Sequence, residues 1–199
     1  MPANRMIAST AVAVLLLAAA GAAVAGDTYV VDPVHSYVGF KVKHMMVTNV
    51  KGTFDTFEGT IDLDPADPTK SSVTFSIDVA SINTKNEKRD THLRTGDFFD
   101  VEHHPKITFK SKRVEKREGG YTAVGDLTIR GVTKEVALPF VLNGPVTNPW
   151  GQVVIGVEVD DITVDRHDFG VSWNNALEAG GLVVGDEVTI QLQAEAAKQ

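Results

Sequence analysis

The sequence predicts an all-β fold, an antiparallel barrel or sandwich. Three observations carry this: period-two hydrophobic alternation, turn signals between the alternating runs, and little helical periodicity. Val38, Phe40 and Val42 alternate with Gly39, Lys41 and Lys43, and Val73, Phe75, Ile77 and Val79 alternate with Thr74, Ser76 and Asp78. Later, Val136, Leu138, Phe140 and Leu142 alternate with Glu135, Ala137 and Val141, and Val188, Ile190 and Leu192 with Thr189, Gln191 and Gln193. Such alternation puts one set of side chains inside and the other outside. Turn signals separate the runs: Asp64-Pro65-Ala66-Asp67-Pro68, Glu118-Gly119-Gly120, Arg130-Gly131, Asn143-Gly144-Pro145 and Gly180-Gly181.

Helical signals are few. Thr84-x-x-Glu87 has the form of a capping box, so a short helix is expected from Thr84 to about Thr95. Leu93 is its only strongly apolar residue, which suits a cover rather than core. Asp168 to Gly181 mixes Phe169, Val171, Trp173 and Leu177 with Gly and Asn, and reads as a structured loop with one helical turn. There is no internal repeat, low-complexity tract or linker, so a single domain is expected.

At the N-terminus, Arg5 precedes an apolar stretch from Ala11 to Ala20, and Ala23-Val24-Ala25 fits a small-residue cleavage site. That stretch is too short for a hydrocarbon core of ~30 Å. The expectation is a signal peptide, residues 1–25, cleaved after Ala25, with 26–199 as the domain and a periplasmic or secreted location. The chain has no cysteine, which removes disulfides, thiolate nucleophiles and sulfur metal sites together. Its net charge of −7, with no arginine-rich patch, argues against nucleic acid as a partner. Anionic membranes are disfavoured by the same overall charge, local basic clusters apart.

Catalytic patterns do not assemble. Gly170-Val171-Ser172-Trp173-Asn174 lacks the closing glycine of a nucleophile elbow, and phosphate-cradling glycine motifs are absent. His92, His103 and His104 fall close together. Adjacent His103 and His104 point to opposite sides of an extended chain, so only one joins His92 in a cluster. Hydrogen-bonding surface histidines are the expectation, with no metal, no cofactor and no enzymatic activity. A barrel of about eight strands is filled by side chains or holds one small ligand, and periodicity alone leaves both open.

An ordered series of blocks narrows this reading. It begins with Asp32-Pro33-x-His35-Ser36, Val38-Gly39-Phe40, Lys43-His44-Met45-Met46, Gly52-x-Phe54 and Phe57-x-Gly59. It continues with Asn86-x-x-Arg89-Asp90-x-His92-Leu93-Arg94, Asp97-Phe98-Phe99-Asp100-Val101 and Pro105-x-Ile107-Thr108-Phe109. It ends with Gly125 to Thr133, Asp168-Phe169-Gly170, Trp173-Asn174 and Gly185-Asp186-Glu187-Val188. This series resembles the YceI-like family, a lipocalin-like group of exported proteins that bind polyisoprenoid lipids.

The resemblance implies a lipocalin-like antiparallel barrel of about eight strands with one or two short helices, and a tunnel along its axis. It implies non-enzymatic binding, and transport or storage, of a long isoprenoid or quinone-like lipid in the cell envelope, with transient membrane encounters. It is compatible with a homodimer. Val38, Phe40, Phe54, Phe75, Ile77, Phe98, Phe109, Leu127, Phe140 and Trp173 are the expected tunnel lining. Arg89, Asp90 and His92 are the expected headgroup or lid residues, with an Arg89–Asp90 salt bridge fixing the lid as the structural alternative. The other use of such a barrel is a stress-related interaction protein without cargo, which calls for an exposed apolar patch or dimer face instead of a tunnel.

Overall fold

The computed structural model describes residues 26–176 and 180–199, so the expected signal peptide and Leu177 lie outside the described part. The strands are β1 (Asp27–His44), β2 (Thr48–Phe54), β3 (Phe57–Leu63), β4 (Ser72–Asp78) and β5 (Ile82–Asn83). After the helix α1 (Glu87–Arg94) come β6 (Lys106–Arg117), β7 (Gly120–Ile129), β8 (Val132–Thr147), β9 (Val153–Asp165) and β10 (Val184–Lys198). All pairings are antiparallel.

The order β10-β9-β8-β7-β6-β4-β3-β1 is closed by a β10–β1 pairing, giving an eight-stranded barrel. This settles barrel against sandwich. β1 is long enough to use two partners along one edge: Asp27–Val30 pair with β3, and Gly39–His44 with β2. Between these stretches β1 bulges from Asp32 to Tyr37 against β10. A bulge bends the strand and increases its twist, which closure of a barrel needs.

Antiparallel order fixes the two ends. One end carries the starts of β1, β7 and β9 and the finishes of β3, β8 and β10. The other carries the β1–β2 turn, the finishes of β7 and β9, and α1. The β7–β8 connection is the two-residue turn Arg130-Gly131, with φ of 49° and 73°, which suits the twist of a hairpin. Asn143-Gly144-Pro145 is not the turn its composition predicts. β8 runs through it to Thr147, with a bulge between Asn143 and Val146 absorbing the irregular residues.

The helix starts later than expected. Asn86 is its N-cap, accepting from Arg89 N–H at 3.0 Å, while Thr84 is buried before it. Thr84 is not available as a cap because Asp90 holds it: the carboxylate accepts from Thr84 N–H at 2.9 Å and from its hydroxyl. Arg89 donates to Thr84 Oγ1 at 2.7 Å and to its carbonyl at 2.8 Å. Arg94 donates to the carbonyls of Ala80 and Ile82, at 2.9 and 3.0 Å. Helix α1 is thus tied to the chain around β5, which pairs with β2.

Replacing Asp90 with Ala strands the buried Thr84 N–H and hydroxyl. It is expected to destabilise the fold by ~1–3 kcal/mol in urea unfolding followed by circular dichroism. Arg89→Lys keeps the charge but loses the forked contact to Thr84, and is expected to cost less.

Candidate functional site

The inward residues of the closed sheet surround an apolar cavity of about 250 Å³. Alternation places them there: Val38, Phe40 and Val42 from β1, Val73, Phe75 and Ile77 from β4, Leu138, Phe140 and Leu142 from β8, and Val188, Ile190 and Leu192 from β10. The lining reaches from Leu63 and Pro68 at one end to Val171 and Val184 at the other. Leu93 of α1 with Phe98 and Phe99 closes in at the helix end, which gives the one apolar position of the helix its purpose.

Nine of the ten residues expected on the tunnel wall stand on it: Val38, Phe40, Phe54, Phe75, Ile77, Phe98, Phe109, Leu127 and Phe140. Trp173 does not. Its ring packs 5.1 Å from that of Phe98 and 5.0 Å from that of His92, backing the wall instead of forming it. A loop tryptophan follows no strand alternation, so its side was not encoded in periodicity.

Two glycines keep the aromatic wall thin. Gly52 is the direct partner of Phe40, and Gly59 of Phe75. A Cβ on Gly52 would lie 2.5 Å from the Phe40 ring, and one on Gly59 would lie 2.5 Å from the Phe75 ring. Each ring therefore lies over the bare backbone of its cross-strand partner. The rings support each other further, with Phe57 and Phe75 stacked at 5.7 Å and Phe40 and Phe54 at 5.8 Å. Phenylalanines laid along the wall leave the axis free.

One charged residue lines the cavity, and sequence reasoning did not single it out. Arg166, in the helical turn Arg166–Phe169 after β9, is 5% exposed. It donates to the carbonyls of Val171 (2.6 Å), Trp173 (3.0 Å) and Gly185 (3.0 Å), and lies 3.5 Å from an Asp186 carboxylate oxygen. Burial holds its pKa below the usual arginine value, against the pull of Asp186 and Asp165. The guanidinium thus fastens the loop before β10 and places positive charge beside the apolar lining. Arg166 follows β9, outside any alternating run, so no sequence pattern assigns its side.

The expected headgroup residues sit elsewhere. Arg89, Asp90 and His92 are off the cavity wall. The polar groups of Arg89 and Asp90 are spent on Thr84, and His92 Nε2 is 2.8 Å from Asp97. A direct Arg89–Asp90 bridge is not how the lid is fixed; both residues hold Thr84. His103 bonds Asp100 at 2.9 Å, and the chain there turns: the N–H groups of His103 and His104 both donate to the Asp100 carbonyl, so the pair is not extended. Among the described residues, the one cluster of three potential metal ligands is Asp32, His35 and Glu195, on the barrel exterior. The Asp32 hydrogen bond raises the His35 pKa and lowers that of Asp32; Asp100 and His103 do the same to each other.

Comparison with known proteins agrees with this architecture. The model of the YceI-like domain matches residues 29–196. A UPF0312 protein of Staphylococcus aureus is 42% identical over 165 residues, covering 82% of this chain and 94% of that protein. The crystal structure of BcnA from Burkholderia cenocepacia is similar with a TM-score of 0.73 at 25% identity, over 83% of this chain and 98% of that one. A polyisoprenoid binding domain from Saccharophagus degradans shares the fold at 16% identity, with a TM-score of 0.60 over 86% of this chain and 98% of that one.

Gly59→Ala drives the Phe75 ring off its seat, and is expected to lower stability by ~1–3 kcal/mol in thermal unfolding. The histidine pairs give stability that is lost as pH rises through the raised histidine pKa. The carboxylates' share is lost as pH falls through their lowered pKa. Both shares are complete together from about pH 4 to about pH 6.5. NMR titration is expected to give His35 and His103 midpoints above about 6.5, with Asp32→Asn returning His35 towards that value.

Proposed function

This chain belongs to the YceI-like family, and from that membership together with its tunnel we propose that it binds a long-chain isoprenoid lipid without catalysing a reaction. The observation that carries the reading is the continuous apolar lining between the barrel ends, with Arg166 as its one charge. Along β10, lining residues run from Val184 to Ala194. At ~3.4 Å per residue and a tilt of ~40°, that is about 26 Å along the axis. Lining that extends along the barrel axis in this way suits an extended chain. The fold shared with a polyisoprenoid binding domain supports the same ligand class.

The energetics favour exchange. Each CH₂ buried from water is worth ~0.8 kcal/mol, so a polyprenyl chain does not enter water on its own. A bilayer and the tunnel both bury it, so transfer between them is close to balanced. A carrier or reservoir in the cell envelope, exported by residues 1–25, meets that description. A polar oxygen at one end of the lipid would find the Arg166 guanidinium at the helix end of the tunnel, replacing Arg89, Asp90 and His92 as the headgroup contact. The tunnel favours cargo over use of the barrel as a cargo-free interaction protein.

Native mass spectrometry of protein purified from membrane-containing cells is expected to show an apolar adduct of isoprenoid mass. Ala194→Trp, which puts an indole into the lumen, is expected to abolish the adduct while the barrel stays folded. An adduct that persists at full occupancy in Ala194→Trp places the lipid outside the tunnel and sinks the proposal.

A further inference from the structure

The tip of the β1–β2 hairpin departs from what folding alone would select. Val47 N–H donates to the His44 carbonyl at 3.1 Å, closing a β-turn whose central residues Met45 and Met46 have φ of 49° and 60°, within the three-residue connection between the paired His44 and Thr48. Turns with two positive φ values favour Asn-Gly, because a longer L side chain is strained there. Here both positions hold methionine, and the tip is exposed: Met45 is 42%, Met46 56% and Val47 80% accessible. The backbone would be more at ease, and the surface more soluble, with the usual turn residues.

Charge sets the tip apart as well. From Lys41 to Phe54 there are three lysines and no acid, in a chain of net charge −7. Lys41 and Lys51 are direct cross-strand partners, a like-charge pairing that weakens a hairpin. Lys41 has Asp161 at 3.4 Å, whereas exposed Lys43 and Lys51 have no ion-pair partner among the described residues. The tip also stands at the end of the barrel where α1, Phe98 and Arg166 close the tunnel.

We propose that Met45, Met46 and Val47 form a docking tip that enters the headgroup region of an anionic lipid bilayer, with Lys43 and Lys51 attracted to the lipid phosphates. Unbranched, pliant methionine side chains suit an irregular apolar phase. Apolar residues beside lysines are the combination that holds a segment at a membrane interface. The acidic body resists an anionic surface while the local cluster is drawn to it, so the protein approaches with this end first. The overall charge disfavours membranes; its distribution selects one orientation. This goes beyond the cargo reading and is tested without cargo.

The test uses residues 26–199, which hold the ten described strands and the whole stretch matched by the family model, 29–196. Flotation is measured with vesicles of phosphatidylglycerol and phosphatidylethanolamine that contain no isoprenoid. The unchanged protein is expected to float, more so at low salt. Met45→Asn with Met46→Gly is expected to reduce flotation about tenfold while Tm stays level or rises, because Asn-Gly fits the turn. Lys43→Gln with Lys51→Gln is expected to remove the dependence on phosphatidylglycerol without changing Tm. Trp150→Ala, at the opposite end and 81% exposed in the native protein, is expected to leave flotation unchanged. Equal flotation of the Met45→Asn, Met46→Gly variant, a fall in its Tm, or loss of flotation in Trp150→Ala would overturn the proposal. So would unchanged protein that does not float but forms a dimer dispersed by the same Met45→Asn, Met46→Gly change, which assigns the tip to a second copy.

Discussion

Everything in this molecule depends on the pairing of β1 with β10. The first and last strands meet along nearly their full lengths, from Tyr29 opposite Lys198 to His44 opposite Val184. Without that seam the sheet would have two long edges and an apolar face in water, a state that invites aggregation. With it, every inward residue converges on one axis, and the strands' alternation becomes the separation of lumen from surface. The bulge between Asp32 and Tyr37 belongs to the same constraint, because it lies where β1 passes from β3 to β2 as its partner on the other edge.

Closure alone would allow a filled interior. The lumen stays open because its large side chains lie along the wall. Phe40 over Gly52 and Phe75 over Gly59 are two instances of one device, a ring seated on the bare backbone of its cross-strand partner. At the helix end, the polar residues that look available for a ligand are instead structural: Arg89 and Asp90 hold Thr84, and Arg130 bridges the carbonyls of Gly96 and Gly170. Arg166 also binds backbone carbonyls, but it does so from the cavity wall. The chemistry of the site is therefore an apolar channel with one fixed positive charge near an end.

The strands were legible because period two is a direct image of the pleat, and this also placed residues such as Val38, Ile77 and Leu138 on the inner face. Partner choice was not legible, since alternation does not say that β4 pairs with β6 or that β1 meets β10. Gly52 and Gly59 were visible as recurring glycines beside phenylalanine, but their purpose appears only in the register. Trp173 was expected on the wall and Arg166 was not expected at all, for a common reason: both lie after β9, where no strand periodicity assigns a side. Thr84 and Asn86 are both competent helix caps, and the buried Asp90 carboxylate decides between them by taking Thr84. Asn143-Gly144-Pro145 has turn composition, yet a long strand accommodates it as a bulge.

Whether the barrel interior receives an apolar chain is read from the electron density along the barrel axis in crystals of protein purified from cells that contain membranes. Continuous, chain-like density is expected from the Ser71–Ser72 end to Phe98 and Arg166, in van der Waals contact with Phe40, Phe75 and Phe140. A lumen closed by those phenylalanine rings turned inward against one another would rule out a threaded chain.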